Sequence, residues 1–200
     1  MKEKMRQLFD WILAAALLCI FAPLMAAIAV MVKLDSPGNI IFCGVRVGKG
    51  GKKFRIFKFR TMHCHQPAES PITVKDDLRI TRSGRILRKY KLDELPQLVN
   101  ILRGEMCFVG PRPEDPRFVA VYDEEQKELL NVLPGLTSPG SLHFQDEASL
   151  LQGEDWENIY RREILPQKLR MDLEYIAQSS FWSDLKVLAQ TLGLWLTARD

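Results

Sequence analysis

The chain has 200 residues, 46% hydrophobic and 26% charged, which suits one ordinary domain with an appendage and excludes wholesale disorder. Its net charge of +3 is small, but seven Lys or Arg and no acid lie between Arg46 and Arg60, and Arg79 to Lys91 repeats that bias. Such clusters point to phosphate, anionic head groups or nucleic acid as partners. Four cysteines (Cys19, Cys43, Cys64, Cys107) form no CxxC pair and no regular framework, and free thiols suit a reducing compartment. The run His63-Cys64-His65 is set aside as a metal centre, because adjacent side chains point in different directions and no second ligand pair follows.

In chain order, residues 11–32, WILAAALLCIFAPLMAAIAVMV, come first and carry no charge. As a helix they would be about 33 Å long, enough to cross a hydrocarbon core. A cleaved signal peptide fits poorly, since its apolar region is shorter and a small-residue cleavage site is missing. A simple span meets two objections. Pro23 falls mid-run, where it removes a backbone hydrogen bond, and cations flank both ends. A helix broken at Pro23 that enters and leaves through one leaflet answers both, whereas a kinked full span would satisfy the proline alone.

Ser36-Pro37-Gly38 reads as a turn and NIIF as a short strand. GVRVGKGGKKFRIFKF then reads as a β-hairpin turning at Gly48 to Gly51, with no Walker-type phosphate loop. Residues 63–78 are a polar loop, and a short helix is expected from Ile86. Leu95, Leu98, Val99 and Leu102 recur at helical spacing, with closure near Gly104. FVGPRPEDP is expected to be irregular, 117–131 helical and LPGLTSPGSL a loop. The tail from Trp156 to Leu196 reads as helical, with Leu185, Leu188, Leu192 and Trp195 on one stripe, beside Phe181, Trp182 and Leu196. That stripe suits either core packing or a membrane interface.

The chemistry concentrates in KYKLDELPQLVN, residues 89–100. Asp93 is expected to cap the helix, with Glu94 in its first turn and Pro96 tolerated there. A helix terminus and nearby arginines are expected to lower the carboxylate pKa, keeping an anion available as nucleophile or metal ligand. Arg112, in the stiff GPRP loop, can grip a phosphate through two hydrogen bonds. Carboxylate, divalent metal and arginine together are the parts of phosphoryl transfer.

KFRTM, DELPQ and GPRP, in this order behind an apolar segment with a central proline, resemble the small monotopic phosphoglycosyl transferases among the bacterial sugar transferases. The likeness runs over nearly the whole chain, through VRVGKGGKKFRIFKFRTM (45–62), RITRSGRILRKYKLDELPQLVNILRGEMCFVGPRP (79–113), PGLTSPGS (134–141) and FWSDLK (181–186). The resemblance implies an enzyme of the bacterial inner membrane, on its cytoplasmic face. Asp93 would attack the β-phosphate of a UDP-sugar and release UMP, and the phosphosugar would then pass to polyprenyl (undecaprenyl) phosphate. It implies Mg2+ bound at Asp93, Glu94 as dyad partner and Arg112 on phosphate. Arg46, Lys58, Arg60 and Arg88 are assigned to the phosphate pocket. Its implied partners are the UDP-sugar donor, the lipid acceptor, membrane lipids and a second copy in a homodimer, with no nucleic acid.

The expected fold class is therefore α+β, mainly helical. Residues 1–35 form a re-entrant helix-break-helix, and 36–200 form a catalytic domain with a small β-hairpin and amphipathic interfacial helices. Ala22 stands before the proline where relatives often carry Ser, Lys91 replaces a common Ser or Thr, and PGLTSPGSL replaces PGITGxAQV. The last departure leaves the sugar open. A membrane-tethered binder of anionic ligands would explain the cations but not the two acids among them. A metal-dependent phosphatase or nucleotidyl transferase would use the same parts with a different acceptor.

Overall fold

The computed structural model describes residues 2–63, 77–145, 147–151 and 156–197. Cys64, His65 and most of the expected 63–78 loop lie outside them. The apolar segment forms one helix, α1 (Lys2–Asp35). An antiparallel hairpin follows, β1 (Ile41–Val47) and β2 (Lys53–Phe59), joined by a 3-10 turn at Lys49–Gly51. The expected short strand NIIF and the first hairpin arm are thus one strand. Gly50 and Gly51 make the turn with φ of 69° and 71°, values that L side chains resist.

Helix α2 (Arg82–Lys89) starts a turn earlier than its apolar pattern suggests, because the Thr81 hydroxyl caps it by accepting from Gly84 N–H. A 3-10 turn at Leu92–Glu94 leads to α3 (Gln97–Leu102), and Gly104, with φ of 71°, ends that helical run. Strand β3 (Cys107–Val109) pairs in parallel with β4 (Gly135–Thr137). The crossover carries α4 (Pro116–Val119) and a 3-10 turn at Gln126–Asn131. Neither strand follows from its turn-rich sequence. Three residues are too few to show a period, and the pairing is long-range. Gly135 lies so close to Gly110 that a Cβ on Gly135 would fall 2.2 Å from Gly110 N.

After β4 come α5 (Pro139–His143), α6 (Glu147–Leu150) and α7 (Trp156–Ile159). A π-helical turn at Tyr160–Ile164 then leads into α8 (Leu165–Gln178), and α9 (Phe181–Thr197) closes the description. The chain is mainly helical with little sheet, as its composition of elements foretold. In α9, Val187 is buried and Leu188 packs on the core, while Phe181, Trp182 and Leu192 are exposed. The side chains of Trp195 and Leu196 lie outside the description.

The helix α1 runs through Pro23 without a gap, so the expected interruption is not present as a break in the helix. A proline deletes one amide donor, and a long apolar helix absorbs that loss. One stripe of α1 faces the body along its length. Ala14 is buried with Leu98 and Ile101 of α3 and with Phe108 of β3, while Ile28 and Val32 are buried with Phe59 and Leu87. The opposite face leaves Ile12, Ile20, Val30 and Leu34 exposed.

Candidate active site

The site is built where β2, the 92–94 turn and the loop after β3 meet. Lys91 turns the chain out of α2 with left-handed backbone (φ 50°, ψ 24°), and the 3-10 turn then presents Asp93 and Glu94. Neither acid is a helix cap, contrary to expectation: Pro96 occupies the cap position of α3 and no side-chain oxygen caps it. The two carboxylates are therefore available for other work.

They are used unequally. Glu94 Oε1 accepts from Lys58 Nζ at 2.7 Å, and Arg112 embraces the same carboxylate, through Nη2 to Oε1 and through Nη1 to Oε2 at 3.5 Å. Arg112 is itself steadied by the Leu136 carbonyl, 3.4 Å from Nη1. The two cations hold the Glu94 carboxyl well below the usual range despite the opposing effect of burial, and Glu94 in turn raises the Arg112 pKa. Asp93 is only 8% exposed, and among the described residues no hydrogen bond or ion pair holds its carboxylate. Burial raises its pKa, against the pull of Lys58, Arg88 and Arg112. The expectation that cations would lower it fails for a physical reason: burial of the carboxyl outweighs cations whose direct contacts go to Glu94, and Glu94 adds its own negative charge.

Arg88 lies in the field of Asp93 and Glu94, and its Nε donates to Thr61 Oγ1 at 2.8 Å. Two further assigned cations meet acceptors of the fold. Arg46 Nη1 donates to Val45 O at 2.8 Å and Asp115 Oδ2 at 3.4 Å, tying the hairpin to the loop after Arg112. Buried Arg60 donates to Val32 O at 3.2 Å, Ser36 O at 2.6 Å and Ser36 Oγ at 2.9 Å, capping the C-terminal end of α1. In both cases carbonyl or carboxylate acceptors of the fold engage the guanidinium group.

Two supporting residues were not legible as site residues. Fully buried Asn100 accepts from Phe57 N–H at 3.0 Å and donates to Arg55 O at 2.7 Å, locking α3 to the strand that carries Lys58. Its signal was a polar residue within an apolar helical run. Buried Asp172 accepts from Gly140 N–H at 2.9 Å, with the Ser138 hydroxyl and the Arg112 main-chain N–H also turned toward it. It thereby fixes the backbone beneath Arg112. Nothing in its local sequence marks that role, because its partners come from 32 or more residues away.

The donor set bears on magnesium. Among the described residues no three His, Cys, Asp or Glu gather into a metal cluster, and Glu94 is already engaged. One buried, unengaged carboxylate is the protein contribution that Mg2+ commonly receives when substrate phosphates and water complete its shell. Asp93 fits that pattern.

The sequence profile of the bacterial sugar transferases matches residues 1–198. The chain belongs to that family. A UDP-glucose:undecaprenyl-phosphate glucose-1-phosphate transferase of Caulobacter vibrioides is 37% identical over 196 residues, covering 96% of this chain and 70% of that protein. A UDP-N-acetylgalactosamine-undecaprenyl-phosphate N-acetylgalactosaminephosphotransferase of Aeromonas hydrophila is 37% identical, covering 94% of this chain and 43% of its own length. An undecaprenyl-phosphate glucose phosphotransferase of Komagataeibacter xylinus is 36% identical, covering 98% of this chain and 36% of its own length. The chain, a bacterial sugar transferase, thus spans less than half the length of the last two proteins.

Proposed function

We propose that this bacterial sugar transferase moves a sugar 1-phosphate from a UDP-sugar to undecaprenyl phosphate through a covalent intermediate on Asp93. The observation that carries this reading is the asymmetry of the dyad: Glu94 is clamped by Lys58 and Arg112, whereas Asp93 is buried and unengaged. A carboxylate stripped of water and of hydrogen bonds is a stronger nucleophile than a solvated one. An Asp93 oxygen attacks the β-phosphorus, the bond from that phosphorus to the bridging oxygen breaks, and UMP departs with the electron pair. A phosphate oxygen of the lipid then attacks the same phosphorus, and the Asp93 carboxylate is released. Arg112 and Lys58, preset by Glu94, face the charge that grows on phosphate oxygens. Magnesium, held by Asp93 and the substrate phosphates, would supply further charge neutralisation.

The membrane reading follows from packing. Both halves of α1 press on one body, and Arg6 near its start pairs with Asp184 of α9, while Arg60 caps its end. A helix crossing the bilayer would carry one end away from that body. That packing supports a monotopic reading with the exposed face of α1 in lipid, while re-entry at Pro23 and the cytoplasmic face of the inner membrane rest on the family resemblance. Single cysteines near residues 4 and 34, treated with a membrane-impermeant reagent, should label from one side, and labelling from opposite sides would sink it.

The chemistry is tested with the purified chain, magnesium, a panel of UDP-sugars, and undecaprenyl phosphate present or absent. UMP release should require magnesium and vanish in Asp93→Asn, and mass spectrometry should place a phosphosugar on Asp93. Full activity in Asp93→Asn would remove the nucleophile.

A further inference from the structure

Among the described residues Lys91 is the one non-glycine residue with positive φ. Left-handed backbone is disfavoured for a lysine and is adopted readily by Gly and Asn. Here Lys91 follows the C-cap of α2 and ends that helix, a position glycine usually takes, so the choice of lysine calls for a use of its side chain. Three observations narrow that use. The residue is exposed, so core packing does not hold it in place. Among the described residues its ammonium makes no hydrogen bond or ion pair, so the side chain has no structural partner of its own. It caps the turn that carries Asp93 and Glu94, bracketed by Lys91 N–H to Arg88 O at 3.1 Å and Glu94 N–H to Lys91 O at 3.3 Å.

The ammonium also lies in the shared field of Arg112, Glu94, Asp93 and Lys58. Glu94 is already satisfied by two cations there, and Lys91 and Arg88 bring the cations beside the two carboxylates to four. The other acids that reach Arg88 and Arg112, namely Asp77, Glu114 and Glu147, are paired with Arg79 and Lys168. That surplus of positive charge calls for an anion from outside the protein.

We propose that Lys91 is a substrate-binding residue whose ammonium takes a phosphate oxygen beside the dyad, and that the left-handed turn is kept to aim it. This deepens the phosphosugar-transfer reading and rests on it. The phosphate belongs either to the nucleotide donor or to the lipid acceptor, two sources of one chemistry.

The test uses the full chain in lipid nanodiscs, with Lys91→Asn, which tolerates the left-handed backbone, and Lys91→Arg, which keeps the charge. Lys91→Asn should raise the thermal midpoint by about 2–4 °C, because strain is relieved. The same variant should lose about tenfold or more in kcat/KM for UMP release from UDP-glucose or UDP-N-acetylgalactosamine, the size expected for one charge-assisted hydrogen bond. Lys91→Arg should recover most of that loss. A rise in KM for the UDP-sugar alone assigns the phosphate to the donor, and a rise for undecaprenyl phosphate alone assigns it to the acceptor. A residue with only a structural role would move stability and activity together, so opposite signs are the signature. A kcat/KM in Lys91→Asn that is unchanged for both the UDP-sugar and undecaprenyl phosphate overturns the proposal. Should the wild-type chain release no UMP from any donor, the transfer reading fails, and calorimetric titrations with UDP-glucose and with undecaprenyl phosphate decide the inference: equal affinity of wild type and Lys91→Asn for both overturns it, and weaker binding of either by the variant supports it.

Discussion

At the scale of single residues, the dyad divides its labour through bonding rather than through chemistry, since both members are carboxylic acids. Glu94→Gln removes the charge that aligns Lys58 and Arg112 while keeping its shape. UMP release should fall by about 10²-fold or more, the usual scale for losing an aligned charged partner in a phosphate site. Stability should drop by only about 1–3 kcal/mol, since Arg112 remains partly solvated. Asp172 makes the opposite kind of prediction. Burial raises its pKa from 3.8 to about 6, so the folded chain holds a proton that the unfolded chain releases. Its ionisation therefore works against folding: stability falls as pH rises from about 4 through 6, and acidification recovers it. A shift of that size corresponds to about 3 kcal/mol at neutral pH. Asp172→Asn should raise the chemical-denaturation midpoint at pH 8, and the gap should close below about pH 4. Its activity should nevertheless fall, because the Asn NH₂ cannot accept from the main-chain donors that fix the loop beneath Arg112.

At the scale of elements, the segments that read clearly are those whose period is visible. The hairpin's alternation and the apolar run of α1 emerge with the expected type, and Gly104 ends the helical run as expected. The site was legible in part. Asp93, Glu94, Lys58 and Arg112 stand out as acids and cations in tight motifs and are brought together. Arg60 carries the same local signature, yet buried carbonyls at the end of α1 claim it, and no local pattern reveals which acceptor wins. The parallel pair β3–β4 is hidden for the same reason, because each strand is three residues long and stabilised by a partner 28 residues away. Gly84 shows how closely elements fit around the site. A Cβ there would lie 2.2 Å from Thr61 O, so α2 rests directly on the backbone of the residue that orients Arg88. Gly84→Ala should force α2 outward, costing about 1–3 kcal/mol by overpacking. It should also lower UMP release more than a neutral surface change of equal stability cost, as read by paired thermal and kinetic assays.

At the scale of the whole molecule, α1 is a spine whose two ends are fastened by charge. The end near Asp35 is fastened by Arg60 and by Asp35 itself, whose Oδ2 accepts from Ser83 N–H at 2.9 Å and Ser83 Oγ at 2.7 Å at the start of α2. The end near Arg6 is fastened to Asp184, which also accepts from the Tyr175 hydroxyl, while Phe9 stacks edge-on against Phe181 at 5.3 Å. The first joint leads straight to Arg88 and the dyad, whereas the second joins α1 to α9, remote in sequence from the acids. The two joints should therefore separate in a charge-swap experiment. Arg6→Glu sets two acids face to face beside Asp10 and should loosen α9, lowering the thermal midpoint in nanodiscs by several degrees. Because Asp184 is buried more than Arg6, the loss should exceed that of an exposed surface pair. Arg6→Glu combined with Asp184→Arg should restore much of the midpoint, since the pair is reversed rather than removed. The kcat of the Arg6→Glu chain measured below its midpoint should stay within about threefold of wild type if α9 serves only as a brace. A double variant that fails to recover stability would show that the Arg6–Asp184 contact does not fasten the spine.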